Sequence, residues 1–382
     1  MTGPSPKPGV LEIAPYVPGK ARAAGFERPI KLSANENALG CSASARAAYL
    51  EAAARLNLYP DPRATLLREA IADRFTLEPE RLIFGCGSDE LFSLVCNAYL
   101  APGDNAVQPE FGFAAWAIAA RAAGAAVKDA PERALTVDVD ALLAEVDDRT
   151  RLVFLANPAN PTGTMIPFED VRRLHAALPA EVVLVLDGAY AEYAAHLAGF
   201  DDGLELARRA ANVLVTRTFS KIHGLAGLRI GWGYGGPGLI EAMDRIRPPF
   251  NAAAPAQAAA VAALADAAHV AASVAHVERL RPEIAAALER AGVAPVPSAT
   301  NFVTFHVPPQ CGLKAAELAA ALAARGVLVR ELKGYGLPDA LRVTIGLDEE
   351  VSAFLEGLRA ALAGGMSAPR GGDMVGAEMG RG

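Results

Sequence analysis

RLVFLANPANPTGTMIPFEDVRRLHAALPAEVVLVLD, residues 151–187, holds a whole strand–turn–helix–strand unit. RLVFLA (151–156) and EVVLVLD (181–187) are almost entirely apolar, as strands covered on both faces are. FEDVRRLHAAL (168–178) lies between them and is amphipathic at helical spacing. Buried strands joined through helices predict a largely parallel sheet with helices on both sides.

The alternation extends outward from Arg81 to Trp232. Further strands are expected at RLIF (81–84), NAVQ (105–108), NVLVTR (212–217) and LRIGW (228–232), with a helix at SDELFSLVCNAYL (88–100). After Pro248 and Pro249 an alanine-rich helical region runs to about Gly292. A smaller unit follows: SATNFVTFHV, the helix LKAAELAAALAARG, strands in VLVREL and ALRVTIG, and a closing helix DEEVSAFLEGLRAALAG. The expected class is α/β, with a large domain on a mostly parallel, helix-flanked sheet plus a smaller α+β domain. The expected division is an N-terminal arm over 1–30 packed on the small domain, a large domain over 31–275, a small domain over 276–363 and a disordered tail over 364–382.

Composition narrows the function. A net charge of −7 without a basic block argues against nucleic acid or an anionic membrane surface. The residues Ala252–Val277 are apolar, but Pro255, Gln257, Asp266 and two histidines interrupt them, so a packed helix is expected rather than a membrane span. The first twenty residues lack the apolar core of a signal peptide. Cys41, Cys86, Cys96 and Cys311 have neither disulfide-framework nor metal-site spacing, which suits a cytoplasmic protein with no metal.

Ligands of such sheets gather at the carboxyl ends of the strands, so the turns there carry the chemistry. GCGSDE follows the first strand and opens a helix with Ser88 and Asp89, which reads either as an ordinary cap or as an anion site. NPANPTG makes a rigid turn that could aim Asn160 into a cleft. Asp187 ends a buried strand, where a carboxylate needs a cation or a proton; a pyridinium N–H would serve, and so would a helix-capping role. Tyr190 follows three residues later. Lys221 sits in SKIHGLAGLR between Ser220 and Arg229, a setting for a Schiff-base lysine beside a phosphate grip. Arg330 and Arg342 mark strands of the small unit, as an anion clamp or as edge charges. Gly231, Gly233 and Gly236 spell GxGxxG after a strand, yet Pro237 follows at once and no suitably placed acid appears, which argues against a dinucleotide site.

Taken together, KLSANENALG, NLYPDP, FGCGSDE, PEFGF, NPANPTG, DGAYAEY, RTFSKIHGLAGLRIGW and GLPDALRVTIG make the chain resemble the pyridoxal-phosphate-dependent aminotransferases of fold type I, the aspartate-aminotransferase fold. Among these the resemblance is closest to the histidinol-phosphate aminotransferase family, over residues from Tyr16 to about Leu362. It implies pyridoxal 5'-phosphate held by Lys221, with Asp187 on the pyridine nitrogen, Asn160 and Tyr190 on the phenolic oxygen and Phe111 stacked on the ring. It further implies a phosphate cradle of Ser88, Asp89, Ser220 and Arg229, and a homodimer in which Tyr59 reaches the neighbouring subunit's cofactor. Arg330 and Arg342, with Tyr16 and Asn35, are then the substrate clamp.

The implied reaction is transamination between L-histidinol phosphate and 2-oxoglutarate. An aromatic amino-acid aminotransferase and a threonine-phosphate decarboxylase are the alternatives on the same scaffold. Three positions depart from the family pattern: Gly188 for an acid, His223 for an aromatic residue and Cys86 for asparagine.

Overall fold

The computed structural model describes residues 3–7 and 9–366. Strand β1 is Ile30–Lys31. Strands β2 (Leu82–Gly85), β3 (Asn105–Pro109), β4 (Ala126–Ala130), β5 (Thr150–Ala156), β6 (Val183–Asp187), β7 (Val213–Thr218) and β8 (Gly231–Gly235) form one sheet in the order β2-β8-β7-β6-β5-β3-β4. Pairings from β4 through β7 are parallel, and β8 alone runs against its neighbours β7 and β2. The expected mostly parallel, helix-flanked sheet is therefore present.

Alternating side chains explain the two apolar faces. Leu152 and Phe154 of β5, Val183 and Val185 of β6 and Leu214 of β7 enter one core. Val153 and Leu155, Leu184 and Leu186, and Val213 and Val215 enter the other. Helices Ser88–Tyr99, Ala114–Ala123 and Pro237–Ile246 supply Phe92, Trp116 and Met243 to the first core. Helices Thr65–Phe75, Phe168–Ala177 and Ala254–Ala265 supply Ile71, Val171 and Ala259 to the second. Each such large apolar side chain contributes about 1.5–3 kcal/mol by leaving water.

The smaller unit is built from β9 (Ala294–Pro295), β10 (Phe302–His306), β11 (Val327–Leu328), β12 (Arg330–Glu331) and β13 (Ala340–Thr344). Strands β12-β13-β10-β9 make an antiparallel sheet, while β11 pairs in parallel with β1. Helix Ala267–Arg290 lays the stripe Val277, Leu280, Ile284 and Leu288 against Phe302, Phe305 and Phe354 in a third core. This helix and Ala254–Ala265 are bent by 75° across Asp266, whose side chain caps the second helix through the His269 N–H. Among the described residues no single helix is long and apolar enough to cross a membrane.

The arm lies across both parts of the chain: the Lys7 ammonium donates to Ala122 O, Lys20 pairs with Glu331 at 2.7 Å, and Arg330 donates to Val17 O.

Several elements differ from expectation. VLVREL is not one strand, because Val329 separates β11 and β12 into different sheets. The strand expected at 228–232 starts at Gly231, after a short 3-10 turn Ala226–Leu228. Strand β4 was not expected at all; it is an edge strand whose half-exposed residues lack apolar alternation. The last helix, Asp348–Met366, runs three residues into the expected tail, and the remainder of that tail lies outside the described residues.

Candidate active site

A cavity of about 420 Å³ opens where β2, β5, β6 and β7 end, facing β12 and β13. Because β2 and β5–β7 all point the same way, their following turns converge on one edge. Strand β8 points the other way, so Gly231, the first GxGxxG glycine, lies at this edge against Ser88, while Gly236 and the helix after it lie at the opposite edge. Of the fourteen residues expected at the site, twelve line this cavity: Tyr16, Asn35, Ser88, Asp89, Asn160, Asp187, Tyr190, Ser220, Lys221, Arg229, Arg330 and Arg342.

Lys221 stands three residues beyond β7, in a turn closed by Gly224 N–H to Lys221 O. Gly224 has φ +67° and a Cβ there would sit 2.0 Å from Gly40 O, so no other residue fits. The Lys221 amine donates to Ala34 O at 3.4 Å and lies 5.8 Å from the Tyr190 ring centre. Burial first, and then the Arg342 charge, lower its pKa to about 8.

Asp187 ends β6 and is 6% exposed. It accepts from Ala189 N–H at 3.0 Å and the Thr216 hydroxyl at 3.5 Å, but no cation lies in salt-bridge range among the described residues. Burial, aided by Asp89, pushes it up to about 7. Such a carboxyl fits a ring N–H⁺ partner. Tyr190 takes a hydrogen bond from Asn35 Nδ2 at 2.7 Å, and burial pushes its phenol up to about 12.

The phosphate side also fits. Ser88 and Asp89 begin the helix Ser88–Tyr99, presenting free first-turn N–H groups. Arg229 donates to Ser220 Oγ at 3.2 Å and pairs with Asp89 at 3.1 Å. It is held at φ +51°, a strained setting for arginine. Its guanidinium packs so closely over Gly87 that a Cβ there would meet Nη2 at 2.3 Å. The cradle and the unpaired Asp187 together match the pyridoxal 5'-phosphate expected from the sequence.

Opposite lies the arginine wall. Arg330 and Arg342 are directly opposed across β12 and β13. Arg342 donates through Nη1 to Asn160 Oδ1, while its buried Nε has no partner. Like charges facing one another across a sheet are unfavourable unless an anion comes between them.

Two expected residues lie elsewhere. Phe111 lines a neighbouring groove, near Gly336, because its backbone N–H is drawn to Glu132; Phe113, two residues on, reaches the cavity wall instead. Tyr59 is 83% exposed and stacks on Phe250 at 4.6 Å, away from this chain's own cavity.

Tyr335 is a cavity residue that the sequence reading missed. Its signal was a lone tyrosine between glycines in the KGYG turn, midway between the two arginine strands. No cluster able to hold a metal ion occurs among the described residues, and all four cysteines are free.

The family model described as "Aminotransferase class I and II" matches residues 27–358. A histidinol-phosphate aminotransferase of Caulobacter vibrioides is 56% identical, covering 92% of this chain and 98% of that protein. One from Rhodopseudomonas palustris is 50% identical over 95% and 100% of the two chains. The solved histidinol-phosphate aminotransferase of Sinorhizobium meliloti, in complex with pyridoxal-5'-phosphate, superposes with a TM-score of 0.84 at 28% identity, covering 95% of this chain and 99% of that one. A Thermus thermophilus aspartate aminotransferase shares the fold at TM-score 0.78 and 22% identity, over 88% and 97% of the chains.

Proposed function

The chain belongs to the class I and II aminotransferases, and from that premise we propose that it transfers the amine of L-histidinol phosphate to 2-oxoglutarate, giving imidazole acetol phosphate and L-glutamate in histidine biosynthesis. The observation that carries the substrate is the opposed pair Arg330 and Arg342 facing Lys221 across one cavity. Two guanidiniums can take a carboxylate from the acceptor and a phosphate from the donor in alternate halves of the cycle.

When bound, pyridoxal phosphate supplies an electron sink for the pair left at the substrate's Cα. Asp187 is placed to keep the ring nitrogen protonated, and burial in the β6 end removes competing water. Ser88, Asp89, Ser220 and Arg229 would hold the phosphate through backbone and side-chain donors. Asn160 and Tyr190 are the candidates for the phenolic oxygen. Lys221, with its pKa lowered to about 8, has enough free amine near neutral pH to take a proton from Cα and return it to the carbon on the far side of the substrate nitrogen. Arg342 fixes the substrate anion so that this proton faces Lys221.

The reading includes a homodimer. Leu50, Leu56, Leu58, Tyr59 and Leu66 are exposed on one stretch of chain, joined by Phe250. An apolar strip of that kind supports a subunit interface, with Tyr59 serving the neighbouring site. A cytoplasmic location is the reading that the four free thiols support.

The deciding experiment compares kcat/KM for histidinol phosphate, phenylalanine and tyrosine with 2-oxoglutarate as acceptor. Histidinol phosphate is expected to lead clearly; a large preference for phenylalanine would move the protein to the aromatic aminotransferases.

A further inference from the structure

The connection between β12 and β13 carries Tyr335 to the cavity wall beside Arg330. A short 3-10 turn, Lys333–Tyr335, closes through Tyr335 N–H to Leu332 O at 2.8 Å, and Leu337 N–H returns to the same carbonyl. Leu332, Leu337, Ala340 and Phe111 pack around the ring, which is 9% exposed. The residue is thus fixed in place by backbone and packing alike.

Its hydroxyl makes no hydrogen bond among the described residues, and the side chain lines the reaction cavity. Burial pushes the phenol up to about 12, so it is a neutral donor at physiological pH. The Arg330 guanidinium lies 5.9 Å from the Tyr335 ring centre and the same distance from that of Tyr16. A rigid aromatic donor therefore stands beside one cation, with the opposed arginine across the strand pair.

The two arginines already have commitments. Arg330 donates to Val17 O, and Arg342 donates to Asn160 and to Ser33 O at 3.5 Å. A carboxylate has two oxygens and can be satisfied by the donors that remain. A phosphate monoester has three terminal oxygens and more charge, so it takes a further donor where one is offered.

We propose that Tyr335 is a specificity-determining residue whose hydroxyl donates to a phosphate monoester held by Arg330 and Arg342, and is not needed for a carboxylate. The substrate meaning rests on the donor proposed above; the anion preference does not.

The test uses the holoenzyme and its Tyr335→Phe variant, which loses one oxygen and keeps the packed ring. Binding of inorganic phosphate and of succinate is measured by calorimetry, beside single-turnover half-reactions with histidinol phosphate and with 2-oxoglutarate. Loss of one hydrogen bond to a charged group should weaken phosphate, and raise the half-saturation for histidinol phosphate, by roughly tenfold or more. Succinate and 2-oxoglutarate should change by less than about twofold on the same scale. Unchanged phosphate binding overturns the assignment, and so does equal weakening of both anions, which would signal a damaged wall. If wild type ignores histidinol phosphate while Tyr335→Phe still selectively weakens phosphate, the proposed donor falls and Tyr335 keeps its role.

Discussion

Arg330 and Arg342 face each other as register partners on adjacent antiparallel strands, at the wall of the cavity that holds Lys221. Two opposed cations on one sheet carry a like-charge cost that an anionic ligand would relieve. Replacing Arg330 by Gln should therefore leave stability unchanged or raise it by about 0.2–1 kcal/mol, as relief of like-charge repulsion. The same variant should lose roughly tenfold or more in kcat/KM for any anionic substrate. Thermal unfolding with steady-state kinetics checks both; a large loss of stability would show that Arg330 is structural.

Asp187 gives a pH signature. Its carboxyl is raised to about 7 in the folded chain from an ordinary value of 3.8. A raised carboxyl stabilises the fold below its unfolded pKa, and that contribution is lost as pH rises through the folded pKa. Apoprotein stability should thus fall between about pH 4 and 7, and Asp187→Asn should flatten that slope. The variant should also bind pyridoxal phosphate roughly tenfold or more weakly, through loss of a charged hydrogen bond. Denaturant titrations across pH, with cofactor fluorescence, separate the two effects.

Lys221 titrates in the opposite sense. Its folded pKa is lowered to about 8 from 10.5, so the neutral amine predominates above that point. The rate at which the apoprotein captures pyridoxal phosphate should rise between about pH 7 and 9 and then level off. Stopped-flow absorbance would follow it, and a midpoint near 10 would mean that burial does not lower this amine. Lys221→Ala should abolish the covalent absorbance and nearly all transamination.

The departure at Gly188 has a steric explanation. Buried Arg217 pairs with Glu192 at 2.8 Å and Asp202 at 3.4 Å, and a Cβ on Gly188 would meet Arg217 Cδ at 2.9 Å. Gly188→Ala is expected to destabilise by about 1–3 kcal/mol through overpacking. Glu192→Ala should cost more, about 3–5 kcal/mol, because it strips the closest carboxylate from a buried cation. Chemical denaturation would measure both, and a neutral Gly188→Ala would show that Arg217 can move aside.

Much of this was legible because strands such as RLVFLA and VVLVLD are apolar on both faces, and because their following turns are rich in Gly, Pro and Asn. What was hidden has physical causes. Strand β8 is GWGYG, whose glycines carry little strand preference, so its start was placed three residues early. In PEFGF two phenylalanines stand two apart, and only the turn geometry shows that Phe113 rather than Phe111 meets the cavity. Tyr335 had no neighbour of similar chemistry in sequence; the hairpin between β12 and β13 brings it beside Arg330.

Tyr59 offers a test of the assembly itself. It lies exposed on Phe250, away from its own chain's cavity, so any contact with cofactor must be made across a subunit boundary. Tyr59→Ala and Lys221→Ala homodimers should each be weak or inactive. Unfolding and refolding them together in equal amounts lets mixed dimers form. In a mixed dimer, the site with an intact Lys221 receives its Tyr59 from the Lys221→Ala chain and is complete. The mixture should recover activity approaching about a quarter of wild-type sites, since half the dimers are mixed and one of their two sites is whole. If Tyr59 acted within its own chain, that site would still lack it and mixing would restore nothing. An affinity tag on one of the two chains, with the other chain recovered in the pull-down, confirms that dimers have exchanged before the activity is read.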